Sequence, residues 1–426
     1  MKLGQCPVCF EEIDKAIDKN IKFKISQNQN FDCPYCGTEL FIESLGSKTK
    51  FRLPHKNPKH LATLTIGMEI ESFSIDINKL EVKTKTPYRP KYGIEKDEEF
   101  SEDMTIGSEY NSAVFSSINE ALFRIKTGLR KYLVNIEQEE HLRLALIGTY
   151  AKEDTTAGVH YHVGFGKKKG INQEEARFIA PHIHQQIPFL IAITANSPII
   201  KGKITNLSSN RLIYNGEFMF DILNRNELKR ILIDTSHLDE ISFSRKIEGK
   251  KPPTLEVRVA DSNLPEYIIA GLFIVYISTL GALKGKKLWR YYRHEKYEID
   301  RLEAGQRGAK ASIHWDKAKF PISKYIDVFF NYYKEEIKSS NTPQDVLDVF
   351  RLAKTGWIMA DIIREAYKNV EEKLVDKGEE EIQRQFILKF LDAQQRNLNG
   401  ENLITFCKNL SVKIPNLEKI NLGKMF

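Results

Sequence analysis

Gly67-Met68-Glu69-Ile70-Glu71 is the stretch that decides how this chain folds. Acidic and apolar residues alternate in it, and residues i and i+2 of a strand share one face. Glu69 and Glu71 therefore stand together, with Met68 and Ile70 turned to the opposite side. Two later stretches repeat the device. His160-Tyr161-His162-Val163-Gly164 sets two imidazoles on one face, and Thr254-Leu255-Glu256-Val257-Arg258 sets Glu256 beside Arg258. Singly, each pattern is also that of a solvated face, a chance histidine pair or a surface ion pair. Together, in apolar strand contexts, they gather carboxylates, imidazoles and a guanidinium in one concavity if the strands curve around it. Such a set suits a divalent metal and phosphate, and the expected class is an ATP-using enzyme.

Magnesium takes hard oxygen ligands and keeps room for substrate phosphates. Glu69, Glu71 and Glu256 supply such oxygens. Glu109 is a fourth candidate, within Asp103-Met104-Thr105-Ile106-Gly107-Ser108-Glu109-Tyr110-Asn111-Ser112; Asp103 shares its face if the strand runs unbroken through Gly107. His160 is suited to ligate a metal, and His162 to meet phosphate or a second metal. Arg258 is placed to neutralise charge on a transferring phosphoryl group.

The chain has 426 residues, 41% of them apolar and 28% charged, which fits a globular protein of several structural units. A net charge of +7 admits an anionic partner such as ATP or nucleic acid without requiring one. Met1-Lys2 leads directly into cysteines and acidic residues, with no apolar run of a signal peptide. Ile268 to Leu283 is almost wholly apolar, yet shorter than the roughly 20 residues of a membrane span. Tyr276, Ser278 and Thr279 interrupt it, so it reads as a buried core helix. A cytoplasmic protein is expected.

Four of the five cysteines fall in the first 36 residues, as Cys6-Pro7-Val8-Cys9 and Cys33-Pro34-Tyr35-Cys36. Two such knuckles supply four thiolates, which suits structural, tetrahedral Zn²⁺ in a zinc ribbon. A module this small depends on its metal to fold. A protein-docking or structural role is favoured for it over nucleic-acid binding. Cys407 reads as a core thiol.

Along the chain, residues 1–45 form the expected ribbon, 46–60 a linker, 61–310 the main domain and 311–426 a helical region. Strands are expected over Leu61–Ile75, Met104–Phe115, Leu142–Thr149 and Leu255–Val259. Helices are expected over Ser117–Glu137, Asn172–Ala195, Gln344–Val375 and Glu380–Leu398. Residues 76–100 read as a loop or irregular hairpin.

The three strand motifs, the Asp103–Ser112 segment and the helix after the last strand resemble the carboxylate–amine ligase (amidoligase) superfamily, which includes glutamine synthetase and the glutamate–cysteine ligases. The resemblance covers roughly residues 61 to 310. It implies an α+β fold, with a curved, glutamine-synthetase-like antiparallel sheet forming a funnel flanked by helices. It implies ATP at one end, the acid at the other, and two or three Mg²⁺ between them. Glu69, Glu71, Glu109, His160 and Glu256 would hold the metals, His162 would lie near the nucleotide phosphates, and Arg258 would stabilise phosphoryl transfer. Arg211, in Ser208-Ser209-Asn210-Arg211, would contact phosphate or the acid, and Arg307 would be a further nucleotide contact. The implied reaction joins a carboxylate to an amine through an acyl phosphate. The fused ribbon suggests a peptide or protein substrate. No residue pattern marks a pocket for ammonium or cysteine. Two other readings stay open: a phosphotransferase on the same fold, and a zinc-ribbon protein that binds nucleic acid or protein without ligase activity.

Overall fold

In this computed structural model the residues described are 2–3, 13, 19–27, 29–32, 39–44, 48–52, 64–83, 98–101, 106, 108–137, 141–150, 155–166, 170–213, 240–244 and 252–414. The four ribbon cysteines and Asp103 lie outside them. Near the N-terminus, β1 (Lys2–Leu3), β2 (Phe31–Asp32), β3 (Glu39–Ser44) and β4 (Lys48–Arg52) form one sheet in the order β1-β4-β3-β2. Part of the linker expected over 46–60 is therefore strand, and residues 53–60 lie outside the described ones. Residues 48–52 pair with β3, as their alternation of basic residues with Thr49 and Phe51 allows.

The stretch expected as one strand, Leu61–Ile75, is two: β5 (Leu64–Glu71) and β6 (Phe73–Asp76). They part at Ser72, whose N–H leaves the ladder for the carbonyl of Ser108. The remaining strands are β7 (Glu81–Lys83), β8 (Glu99–Ser101), β9 (Glu109–Asn111), β10 (Leu142–Ala145), β11 (Gly158–Phe165), the hairpin β12 (Ile199–Ile200) and β13 (Lys203–Ile204), β14 (Ile241–Ser244), β15 (Thr254–Asp261), and a second hairpin, β16 (Ser312–Trp315) and β17 (Ala318–Pro321), which opens the otherwise helical 311–426 region. Six of them make an antiparallel sheet in the order β14-β15-β11-β5-β9-β8. A smaller sheet, β10-β6-β7, takes the continuation of the β5 chain. Among the described residues of the Met104–Phe115 stretch, Glu109–Asn111 is the strand.

The apolar helix is Pro265–Leu283, and every one of its residues is buried. Proline fits its first turn, where no N–H partner is needed. Tyr161 on β11 donates its hydroxyl to the carbonyl of Ile268 at 3.0 Å, tying this core helix to the histidine strand. Among the described residues it is the one helix long and apolar enough to cross a membrane, and it is enclosed by protein.

The Asn172–Ala195 stretch is two helices, Gln173–His184 and Ile187–Thr194. Pro188 starts the second, while Gln185 and Gln186 at the break reach Trp289 and Tyr325. Gln344–Lys354 and Met359–Lys373 are likewise separate, with Gly356 between them at φ +83°, a conformation glycine adopts without strain.

One apolar core runs from Leu64 to Val412 and takes in side chains of the C-terminal helices, such as Phe350, Ile362 and Phe390. Polar contacts cross the same boundary. Gln394, in the helix Glu379–Leu398, donates to the carbonyl of Leu144 at 2.7 Å and accepts from the N–H of Leu146 at 2.8 Å. Glu266, at the start of the core helix, receives Lys126 at 2.6 Å and Asn397 at 2.9 Å.

Candidate active site

Sheet register brings the three motifs together. His160 on β11 lies opposite Glu69 on β5, while His162 lies opposite Glu256 on β15. Glu71 lies opposite Glu109 on β9. Because antiparallel partners and i+2 neighbours share a face, these residues share one side of the sheet. His160 Nδ1 is 3.3 Å from both Glu69 and Glu256, and its Nε2 is 3.5 Å from Glu71. Nε2 of His162 is 3.5 Å from Glu69. Arg258 Nη2 is 2.8 Å from Glu256.

A β-bulge shapes this face. Val159 pairs with Ala260 but Tyr161 pairs with Val257, so Arg258 and Val259 together oppose His160. Bulges bend the strand and re-aim side chains, and they occur often beside functional sites.

The supporting hydrogen bonds come from short side chains and from backbone. Thr254 Oγ1 is 2.8 Å from His162 Nδ1. Nε2 of that ring is buried without a hydrogen-bond partner, so the ring presents it to Glu69 and Glu256. The ligand atoms of Glu69, His162 and Glu256 lie within 4.8 Å of one another, which a single ion can span. The Gly158 N–H donates to Glu71 Oε2 at 2.5 Å. Asn111 and Ser101 donate to Glu109 at 2.7 and 2.8 Å, and Ser242 to Glu256 at 3.3 Å.

Electrostatics follow from this crowding. Burial disfavours the charged form of Glu69, yet the charge of His162 and the bond from His160 outweigh it and hold the carboxyl far below the usual range. Glu256 behaves alike: burial opposes its charge, while His162, His160 and Arg258 depress it. Glu109 goes the other way, pushed up by burial and then by the charge of Glu69. His160 is raised: burial alone would lower it, but the bond to Glu69 and the charges of Glu71 and Glu256 prevail. Two carboxylates kept ionised beside a buried, unpartnered imidazole nitrogen form a donor set that fits a divalent cation.

Of the residues expected at the site, Glu69, Glu71, Glu109, His160, His162, Glu256 and Arg258 share this face. His162, expected nearer the phosphates, sits in the carboxylate cluster beside His160. Arg211 is buried, 3.8 Å from Asp261, and bonded to backbone carbonyls of β15. Arg307 lies apart at the end of the helix His294–Arg307, its side chain 60% exposed and 3.6 Å from Glu303. Residues missed by sequence reasoning are Thr254, Ser242, Gly158 and Asp261. Thr254 had a signal, since it stands two positions before Glu256 and shares its face. Asp261 had none.

Comparison with known proteins agrees with the geometry. Residues 131–217 match the family described as Glutamate-cysteine ligase family 2, a segment holding His160, His162 and Arg211. A protein named "Putative glutamate--cysteine ligase 2" from Ruegeria pomeroyi is 24% identical over 241 residues, 52% of this chain and 60% of that one. One of the same name from Azoarcus sp. is 29% identical over 152 residues, 33% of this chain and 38% of its own. The chain thus spans less than two thirds of the curated relatives it matches. Among solved structures, the complex between the prokaryotic ubiquitin-like protein Pup and its ligase PafA aligns with a TM-score of 0.51 at 12% identity, over 83% of this chain and 81% of that one. A bifunctional glutathione synthetase from Pasteurella multocida aligns with a TM-score of 0.52 at 10% identity, over 83% of this chain and 56% of that one. Residues 131–217 thus carry the Glutamate-cysteine ligase family 2 match, and the fold resembles that of these two ligases.

Proposed function

We propose that this protein is an ATP- and Mg²⁺-dependent ligase that joins a carboxylate to an amine, with a peptide or protein as one substrate. The observation that carries the reading is the cluster of Glu69, His162 and Glu256 backed by Arg258 on one face of the sheet. When bound, Mg²⁺ would offset the charge of the ATP phosphates and align the substrate carboxylate with the γ-phosphorus. Glu69, Glu71, Glu109, Glu256 and the two histidines are the residues to hold it. Arg258, beside Glu256, would neutralise charge on the γ-phosphoryl group as it transfers. The carboxylate oxygen bonds to the γ-phosphorus as the bond to ADP breaks, giving an acyl phosphate. The amine then attacks the acyl carbon, expels phosphate and leaves an amide. No protein nucleophile takes part, so the side chains supply position and field.

The likeness to PafA, a ligase seen in complex with the prokaryotic ubiquitin-like protein Pup, supports a polypeptide substrate. In this proposal Cys6, Cys9, Cys33 and Cys36 hold one structural zinc, which elemental analysis of the purified protein would count directly. The test of activity is ADP release with Mg²⁺ against a panel of acids, amines and peptides. Release should require both an acid and an amine, and Glu69→Gln should reduce it at least about 100-fold, as loss of a group that acts in the transition state does. A phosphorylated acid that accumulates without an amide would favour the phosphotransferase reading instead.

A further inference from the structure

Arg211 is 5% exposed, and its guanidinium is turned to the sheet's own backbone. Nη2 donates to the carbonyl of Arg258 at 3.1 Å and Nη1 to that of Ala260 at 3.2 Å. Those carbonyls belong to the stretch where β15 steps out of register with β11 and has passed the end of β14, which pairs with Thr254–Val257 and whose preceding residue, Glu240, takes the Arg258 N–H. An unsatisfied buried carbonyl in such a stretch costs about 1–3 kcal/mol, and a planar guanidinium can serve two at once.

The surroundings are built for this placement. Asp261, 3.8 Å from Arg211, accepts from the Asn196 N–H at 2.8 Å, from Ser197 at 2.7 Å and from Ser209 at 3.1 Å. Asn210–Ile213, the short helix that carries Arg211, is thereby tied to the end of β15. Gly158 leaves space on the other side, since a Cβ there would run into the guanidinium. The N–H of the same glycine holds Glu71. One side chain thus meets the bulge, the strand that carries Arg258 and the residue that orients a site carboxylate.

Resting on the ligase reading, we infer that Arg211 is a positioning residue for Arg258: it clamps the bulged backbone of β15, fixes where Arg258 points, and touches no substrate. Arg258 owes its place beside Glu256 to the path of three residues, Arg258 to Ala260. A shift of about 1 Å at a reacting group costs on the order of 100-fold in rate.

The test compares Arg211→Ala, Arg258→Ala and the double variant, with Arg211→Lys in place of the first if the alanine form does not fold. In turnover, R211A should lower kcat about 100-fold and leave KM for ATP within about threefold. The double variant should be no slower than R258A, because Arg211 acts through Arg258. A double variant slowed by the product of the two single effects overturns the inference, as does a loss confined to KM. Amide hydrogen exchange reads the same proposal without turnover. R211A should speed exchange at Val259 to Asp261 while the core helix 265–283 keeps its protection. Uniform acceleration, or none, overturns it. A wild-type protein without ATP-dependent turnover would sink the ligase reading alone, and the exchange result would still decide the role of Arg211.

Discussion

Thr254→Val removes one oxygen from behind the candidate metal cluster and keeps the shape of the side chain. The hydroxyl is 2.8 Å from His162 Nδ1, and it is this contact that turns Nε2 toward Glu69 and Glu256. Without it, Nδ1 loses its partner on a side chain that is only 14% exposed. A buried group left unsatisfied costs about 1–3 kcal/mol, less if the ring can turn to another partner. If the ring turns, it takes Nε2 with it. Loss of an outer partner of a metal-bound histidine lowers metal affinity about 10–100-fold, or about 1.4–2.8 kcal/mol. Either way the effect is of the same size, and it falls on binding before any chemistry. The assay is calorimetric titration with Mn²⁺, with Ser242→Ala as the internal comparison. The contact of Ser242 to Glu256 is longer, at 3.3 Å, and acts on a carboxylate already paired with Arg258, so its loss should weaken Mn²⁺ less than T254V does. Mn²⁺ affinity of T254V within twofold of wild type would refute the idea that Thr254 aims His162 at a metal.

Lys126→Met should destabilise the protein by about 3–5 kcal/mol, because it strips the cation from Glu266, which is fully buried. Adding Glu266→Gln should recover most of that loss, read as the midpoint of denaturant unfolding; simple additivity of the two would count against the pair as the cause. The same measurement on a chain ended at residue 310 should show a severe loss of stability, since Gln394 and Asn397 would no longer meet β10 and Glu266.

The parts of the site that follow from a period of two were legible in the sequence. Glu69 with Glu71, His160 with His162, and Glu256 with Arg258 needed only strand geometry, and the register of β5, β11 and β15 then did the rest. The bulge was not legible, because it is a relation between two strands and leaves no mark on either. The role of Arg211 stayed hidden for the same reason: a buried guanidinium on backbone carbonyls and one on phosphate look alike in a string of letters. The break at Ser72 is another such case, since it depends on Ser108, a residue whose place is set by the next strand over. The split at Gln185 was legible in principle. Pro188 marks a first turn, but the apolar run from Ile187 to Ile193 masked it.

The buried helix Pro265–Leu283 has a consequence for how the protein is made. Its contact from Glu266 to Asn397 joins residues 131 positions apart. Ribosomes add about 5–20 residues each second, so the helix waits on the order of ten seconds for that partner. Phe329, Phe330 and Phe350, which pack on Phe273, emerge during the same interval. Until then, 19 consecutive residues destined for the interior face water or the chaperones that meet nascent chains. The strands that carry the acidic and imidazole groups are complete before the helix behind them is covered, so yield in the cell should depend on chaperone capacity more than on the finished protein's stability.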